Sequence, residues 1–318
     1  MTPARTLAAI LGCLALAGSL FVTIAAALPQ PTQVLVLAAS LAPLTIPGFV
    51  AAVLLLWLGR PGTKLTWTGT TLVLAGLVVN LIWLAPSFLN KAPGGEGDLR
   101  VVQFNTNRGR ADPVEVKRLL AQTRPDIFVM AEATPDFLRE INANGSVGPG
   151  GLVPEYAAVP PGEMLGTVAY SKFPISFEKS VTVSDGAYQF RVQAPRSFTL
   201  ITLHPAEPVI AYQNWKRDFA NITDLVTQAP DPLLVVGDLN VTARNQQLRK
   251  LLATGLKDAA VEAGSGWQPT WPESFGWLAV LTLDHVLFSP QFTAVDTTTR
   301  AVPGSDHLAL VADLRMPA

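Results

Sequence analysis

Hydrophobic residues follow two regimes along this chain. In the first third they run together: Thr6–Leu28 has no charge after Arg5, Val34–Leu58 is interrupted only by Pro43 and Pro47, and Leu65–Leu89 is bounded by Lys64 and by Asn90-Lys91. Each run exceeds the roughly 20 residues a helix needs to cross the hydrocarbon core. None carries the polar face that a buried helix in a water-soluble protein would show. The pattern therefore predicts a membrane domain over residues 1–89 with three transmembrane helices, at about 6–28, 34–58 and 65–89. The two prolines predict that the second is kinked or re-entrant rather than straight. The first run, with Ala25-Ala26-Ala27 near its end, has some likeness to a cleaved signal peptide. It is too long for the 7–15 apolar residues typical of such a peptide and is read as an anchor.

After residue 98 short aliphatic runs alternate with turn-rich or amphipathic stretches. Strands are predicted at Leu99–Phe104, Ile127–Ala131, Thr167–Tyr170, Phe198–Leu203, Leu233–Val236, Leu283–Phe288 and Leu308–Leu314. Helices are predicted at Pro113–Gln122, Asn214–Thr227 and Asn245–Leu252. Many strands with few, scattered helices suggest a two-sheet sandwich with helices outside it. Residues 90–98, Asn-Lys-Ala-Pro-Gly-Gly-Glu-Gly-Asp, have no periodicity and read as a linker. Extended, it reaches at most about 30 Å, which would keep the domain at 99–318 close to the bilayer.

Charge sharpens the division. Residues 1–98 carry only Arg5, Arg60, Lys64, Lys91, Glu96 and Asp98, leaving 19 basic and 22 acidic residues for the remainder. The basic residues at the N-terminus and in the second loop place both in the cytoplasm under the positive-inside rule, and the domain after residue 90 outside. The single cysteine, Cys13, lies in the first run, so the outer domain has no disulfide. The sequon at Asn240 falls inside a chemically loaded motif and is read as chance, which points to a bacterial cell. The slightly acidic outer domain has no basic stripe of the kind that marks nucleic-acid binders.

The polar residues that carry chemistry sit where the aliphatic runs begin or end. VVQFNTN ends in Asn105 and Asn107, IFVMAE in Glu132, FTLITLH in His204 and LLVVGDLN in Asp238 and Asn240. Asp284-His285 opens TLDHVLF, and Asp306-His307 opens the last run. All three histidines of the chain fall in this set. Strand ends of a sandwich converge on one rim, and Glu132, Asp238, Asp284 and Asp306 brought together there need protons or a cation to offset their repulsion. Oxygen ligands without cysteine favour Mg²⁺ or Mn²⁺, with Ca²⁺ as a further candidate. Such an ion beside imidazoles and carboxamides suits attack of water on phosphorus. In LLVVGDLN, Gly237 is read as the residue that lets the strand turn and deliver Asp238 and Asn240.

Taken in order, FNTN, MAE, GTVAYSKFPI, TLH, GDLN, TWP, LDHVLFS and SDH resemble the motif series of the endonuclease/exonuclease/phosphatase superfamily, the DNase I-like fold, across residues 99–318. The resemblance implies an α+β, four-layer αββα sandwich following the three membrane helices. It implies Glu132 as principal metal ligand, with Asn105 and the outer-shell Asp306 beside the metal. Asp238 would activate water, Asn240 would bind the scissile phosphate, and His307, oriented by Asp284, would contact phosphate or act as acid and base. His204 resembles a second phosphate-contacting histidine. Asn107, Tyr170 and His285 would bind phosphate or support those that do. Members often carry Arg before the Leu-Asp-His motif where this chain has Thr282, which weakens inference of the substrate.

The expected activity is metal-dependent hydrolysis of phosphate esters or anhydrides at the outer membrane face, lipid-linked phosphates being favoured by the tether. Trp267, Trp271 and Trp277 are candidates for an apolar lip, although packing explains them as well. A membrane-tethered nuclease is the alternative; a non-catalytic binding protein is disfavoured because no matched position has been lost. No obligate protein partner is evident.

Overall fold

The computed structural model describes residues 2–92, 94–143, 166–273 and 279–316. Two compact units are present: Met1–Pro86 with Thr242–Gln246, and Ser87–Val241 with Gln247–Ala318.

The first unit is helical: α1 (Pro3–Ala27), α2 (Gln33–Ser40), a 3-10 turn at Ala42–Leu44, α3 (Thr45–Gly59) and α4 (Thr63–Leu84). Three helical stretches, Pro3–Ala27, Ala42–Gly59 and Thr63–Leu84, are long and apolar enough to cross a membrane. The middle run is broken, as its prolines predicted. Pro43 lies in the 3-10 turn, whereas Pro47 falls in the first turn of α3, where a missing N–H costs nothing. Small residues let the helices approach closely, the usual means of packing helices in an apolar solvent. A Cβ on Gly59 would lie 2.5 Å from the Ala9 nitrogen. A buried polar contact, Asn80 Nδ2 donating to Thr23 Oγ1 at 3.0 Å, ties α4 to α1.

Segment Thr242–Gln246 belongs to this unit through a dense set of hydrogen bonds. Gln30 N donates to Gln246 Oε1 (3.2 Å) and Gln246 N donates to Gln30 Oε1 (3.0 Å). Gln30 Nε2 donates to the Ala25 and Arg244 carbonyls. Asn245, wholly buried, donates from Nδ2 to the Val36 carbonyl at 2.9 Å and accepts at Oδ1 from Thr242 N at 2.7 Å. Ser40 Oγ lies 3.0 Å from the same Oδ1, and the Arg244 guanidinium stacks over the Trp83 ring.

The second unit contains eleven strands among the described residues: β1 (Leu99–Asn105), β2 (Ile127–Ala131), β3 (Val168–Ser171), β4 (Ile175–Ser180), β5 (Ala187–Val192), β6 (Phe198–Leu203), β7 (Leu233–Asp238), β8 (Lys257–Asp258), β9 (Asp284–Phe288), β10 (Thr293–Arg300) and β11 (Ala309–Arg315). The helices α5 (Pro86–Leu89), α6 (Pro113–Thr123), α7 (Pro135–Asn142), α8 (Tyr212–Gln228), α9 (Gln246–Leu252) and α10 (Ala259–Ala263) complete the chain. One sheet has the order β10-β11-β1-β2-β3, the other β4-β5-β6-β7-β9-β8. Alternate residues of both sheets form one inter-sheet core, including Val101, Val129, Leu200, Leu234, Val236, Val286 and Ala312. The opposite face of the first sheet, through Val102, Phe104, Phe128 and Met130, packs on Val116 and Leu120 of α6 and Phe137 and Ile141 of α7. On α8, Trp215, Phe219, Ile222 and Val226 form a buried stripe. This is the α+β sandwich the resemblance implies.

Residues 87–98 are held along this unit. Ser87 O accepts from Gly266 N, Asn90 Nδ2 donates to the Val261 carbonyl, and Asp98 N donates to Leu314 O. The Arg315 guanidinium donates to the Glu96 and Gly94 carbonyls. A run that looks like an extended linker in the sequence is thus fastened to β11 and the α10 region.

Topology builds the rim. Strands β1 and β2 run parallel, as do β6 and β7, so all four deliver their C-terminal ends in matched pairs. Strand β9 is antiparallel to β7, and β11 to β1, so these two contribute their N-terminal ends to the same places. Asp284 pairs directly with Asp238 across the β7–β9 ladder.

Candidate active site

At the end of β1 the buried Asn105 is the hub. Its single amide nitrogen donates to Glu132 Oε1 (3.0 Å) and to Asp238 Oδ2 (2.9 Å), joining two carboxylates from different sheets. Its Oδ1 accepts from Asn107 N at 2.9 Å, and its carbonyl accepts from Ser305 Oγ at 2.7 Å. Glu132 Oε2 accepts from the Arg108 backbone N–H at 2.9 Å. The Glu132 backbone is anchored by Thr106 Oγ1, which donates to its carbonyl.

On the other sheet, Asp238 Oδ1 accepts from Asn240 N at 3.0 Å, and Asn240 Nδ2 donates to the Pro205 carbonyl at 3.1 Å. That leaves Asn240 one amide hydrogen for a phosphate oxygen. His204 Nε2 lies 3.9 Å from Glu132 Oε1 and 3.8 Å from Asp238 Oδ2. His307 places Nε2 3.6 Å from Asp238 Oδ2 and Nδ1 2.8 Å from Asp284 Oδ2. Burial opposes charge on the His307 ring, but Asp284, Asp238 and Asp306 outweigh it, and the imidazole is pushed up to about 10. His307 therefore carries its proton at neutral pH.

Four non-glycine residues at this rim hold left-handed backbone: Asn107 (φ 50°), Arg108 (φ 55°), Glu132 (φ 56°) and Asn240 (φ 51°). Such conformations cost of order 1–3 kcal/mol each and persist where surrounding bonds over-determine them. The turn that delivers Asn240 is thus made at Asn240 itself. Gly237, read from the sequence as the turning residue, is instead an ordinary strand position of β7. A Cβ there would fall 1.9 Å from the Leu203 carbonyl oxygen, so glycine answers the close approach of β6 to β7.

Tyr170 and His285, expected to bind phosphate or to support residues that do, have partners within the protein. Tyr170 is buried in the outer core beside Phe128, and its hydroxyl pairs with Asn142 of α7. His285 has no nitrogen for a phosphate. Its Nδ1 lies 2.8 Å from Asp258 Oδ2 and its Nε2 3.0 Å from the Val241 carbonyl, so its part is to support the chain beyond Asn240. Asp306 accepts from Trp271 Nε1 at 3.3 Å, which gives that tryptophan a structural partner. Trp267 is part-exposed, and Trp277 lies outside the described residues. Thr282 Oγ1 donates to the Gln268 carbonyl.

Glu207, three residues after His204, was not singled out by any motif. Burial first, then the charges of Glu132 and Asp238, hold its carboxyl above the usual range, which puts it in the field of both acids. Asp258 and Ser305 were likewise invisible in the sequence, because their roles are to hold His285 and Asn105 from distant segments.

A divalent cation fits this chemistry. Glu132 and Asp238 share one amide donor and raise Glu207, an excess of negative charge that a hard ion would relieve. Asp238, Asp284 and His307 also bring ligand atoms within 4.8 Å of one another. There His307 bonds Asp284 Oδ2 through Nδ1 and faces Asp238 Oδ2 with Nε2.

The sequence profile of the endonuclease/exonuclease/phosphatase family matches residues 102–307, and the chain belongs to that family of metal-dependent phosphoester hydrolases. Similar solved structures include a family protein of Bacteroides thetaiotaomicron (14% identity, TM-score 0.55, 71% of this chain and 100% of that one). D. rerio TDP2 in complex with a single-strand DNA product has 16% identity and TM-score 0.55, over 69% of this chain and 99% of that one. A mannosyl-6-phosphatase of Bacteroides thetaiotaomicron has 15% identity and TM-score 0.52, over 68% and 99%. These likenesses show the fold. No curated protein matches the chain.

Proposed function

We propose that this protein is a membrane-anchored phosphohydrolase that cleaves phosphate esters or anhydrides at the outer membrane face, with lipid-linked phosphates as its substrate class. The observation that carries the reading is the junction at Asn105, which sets Glu132 and Asp238 side by side with two histidines facing them. Glu132 and Asn105 would hold Mg²⁺ or Mn²⁺, with Asp306 in the outer shell; the ion would supply Lewis-acid stabilisation of charge on the phosphoryl oxygens. Asp238, fixed by Asn240 N and Asn105, takes the proton from the attacking water. The His307 imidazolium, aimed by Asp284, balances charge on the non-bridging oxygens or protonates the leaving oxygen. Asn240, Asn107 and His204 contact the phosphate.

The membrane setting is supported by the three apolar helices, and the outward orientation by Arg5, Arg60 and Lys64 on the opposite loops. The lipid class is supported by the short chain connection, since α4 ends at Leu84 and the catalytic unit begins at Ser87. The acidic balance of residues 99–318 argues against nucleic acid. The test uses the full-length protein in detergent with Mg²⁺ or Mn²⁺, on a polyprenyl diphosphate and on plasmid DNA, each with an EDTA control. Metal-dependent phosphate release from the lipid with intact plasmid is expected. Plasmid cleavage alone would make the protein a tethered nuclease, and silence on both would favour a binding role.

A further inference from the structure

Asp218 lies in the middle of α8, among the buried residues Trp215, Phe219 and Ile222 of the same helix face, and is itself completely buried. A carboxylate in such company is costly unless hydrogen bonds replace the lost water. Its Oδ2 accepts from two backbone N–H groups, Ala206 N at 3.0 Å and Ser184 N at 3.2 Å. Its Oδ1 faces Arg217 Nη2 at 3.6 Å and has no hydrogen bond among the described residues. A helix that needed only to bury an apolar face would carry an aliphatic residue at this position. The carboxylate is spent instead on the segment that follows His204.

The Ala206 N–H and the Pro205 carbonyl are the two polar ends of one peptide group. That carbonyl accepts from Asn240 Nδ2 at 3.1 Å. Asp218 and Asn240 thus bind opposite edges of a single rigid plane. A charged acceptor on the N–H edge polarises the peptide and makes its carbonyl a stronger acceptor on the other. A carbonyl cannot donate, so it selects the Asn240 amide with the nitrogen turned toward it and one amide hydrogen left over. We propose that Asp218 is a positioning residue for the phosphate contact, acting on the Asn240 side chain through the Pro205–Ala206 peptide. This rests on the reading above that Asn240 meets the phosphate. Asp218, the peptide, Asn240 and His204 all belong to the second unit. His204 is held separately: its N donates to the Gly186 carbonyl at 2.9 Å, and its carbonyl accepts from Asp185 N at 3.1 Å. Loss of the Asp218 charge therefore loosens Asn240 and leaves His204 in place.

The experiment uses the full chain in lipid nanodiscs with Mg²⁺, with bis(4-nitrophenyl) phosphate and 4-nitrophenyl phosphate as probes. Asp218→Asn keeps the volume and an acceptor oxygen but removes the charge. It is made alone, on top of Asn240→Ala and on top of His204→Ala. Loss of positioning lowers kcat/KM about tenfold in the otherwise unchanged chain. The same substitution costs about tenfold again beside His204→Ala, but less than about twofold beside Asn240→Ala, because the group it positions is already gone. Equal losses in all three backgrounds would mean a purely structural role and would overturn the proposal. So would a kcat/KM for Asp218→Asn within about twofold of the parent. If Asp218→Asn does not fold, Asp218→Ser takes its place in the cycle; failure of both to fold would assign the carboxylate to folding and overturn the proposal as well. The affinity for inorganic phosphate, measured by calorimetry on the same proteins, separates this proposal from the reading it rests on. A parent inactive on both probes would sink the hydrolase reading, and the pattern of phosphate affinities across the cycle would then decide the role of Asp218. A parent that also fails to bind phosphate would overturn both.

Discussion

His307 Nδ1 sits 2.8 Å from Asp284 Oδ2, a carboxylate that is completely buried and whose other oxygen has no protein partner. The pair joins the start of β9 to the loop before β11, one from each sheet, and turns the opposite ring nitrogen toward Asp238 at 3.6 Å. A ring held in this way has one orientation.

Replacing Asp284 by Asn keeps the volume but removes the charge that orients and protonates His307. Activity should fall by about 10²–10⁴ in kcat with KM nearly unchanged, the scale of a lost general acid or base. Steady-state kinetics at pH 7 check this. A variant within a few-fold of the parent would show that His307 does no chemistry.

The same pair makes the metal-free protein sensitive to alkali. A group raised from 6.5 to about 10 in the folded state adds stability that is fully present below pH 6.5 and is lost as pH rises through about 10. In EDTA, thermal unfolding of the domain should therefore fall from pH 6.5 toward pH 10. H307Q, which cannot hold the proton, should show a flatter profile over the same window. Parallel profiles for the two proteins would contradict the assignment.

Gly237→Ala tests packing rather than chemistry. The added methyl would meet a backbone carbonyl at 1.9 Å, which no side-chain rotation relieves. Overpacking of this kind costs about 1–3 kcal/mol or more, and separation of β6 from β7 would also move His204 away from Asp238. A lower unfolding temperature together with reduced activity is expected; an unchanged unfolding temperature would show that the sheet gives way without cost.

Glu132→Gln keeps one of the two acceptor oxygens that serve Asn105 and Arg108 N and removes the carboxylate charge that would hold the cation. Hydrolysis should drop by about 10³-fold or more, and added Mg²⁺ or Mn²⁺ should no longer raise the unfolding temperature as it does in the parent. Metal-induced stabilisation equal to that of the parent would move the metal to the Asp238, Asp284 and His307 side.

Seven of the strands were legible because each carries a run of buried aliphatic residues, and the polar residues at their ends marked the rim. Four strands were not predicted: β5, although buried, the two-residue β8, and two edge strands with little to bury. β4 (Ile175–Ser180) is an edge strand with four exposed residues among six, and β10 (Thr293–Arg300), also at an edge, is rich in threonine and half-exposed. Edge strands satisfy the ladder on one side only and need no continuous hydrophobic pattern.

By itself the sequence determined what local chemistry and length can determine. It yielded three apolar helices long enough to cross a membrane, the break at Pro43, seven of the strands, and the residue types of a phosphoester site in their order along the chain. Only the tertiary structure decided how those residues are used. It put Asn105 between Glu132 and Asp238, bonded His285 to Asp258 and the Val241 carbonyl, buried Tyr170 in the outer core, and brought Glu207 into the field of the site. It also built Thr242–Gln246 into the helices through Gln30 and Asn245. These outcomes depend on contacts between residues as many as 216 positions apart in the chain. No local propensity encodes such contacts; they follow from which faces of the sheets and helices can be buried together.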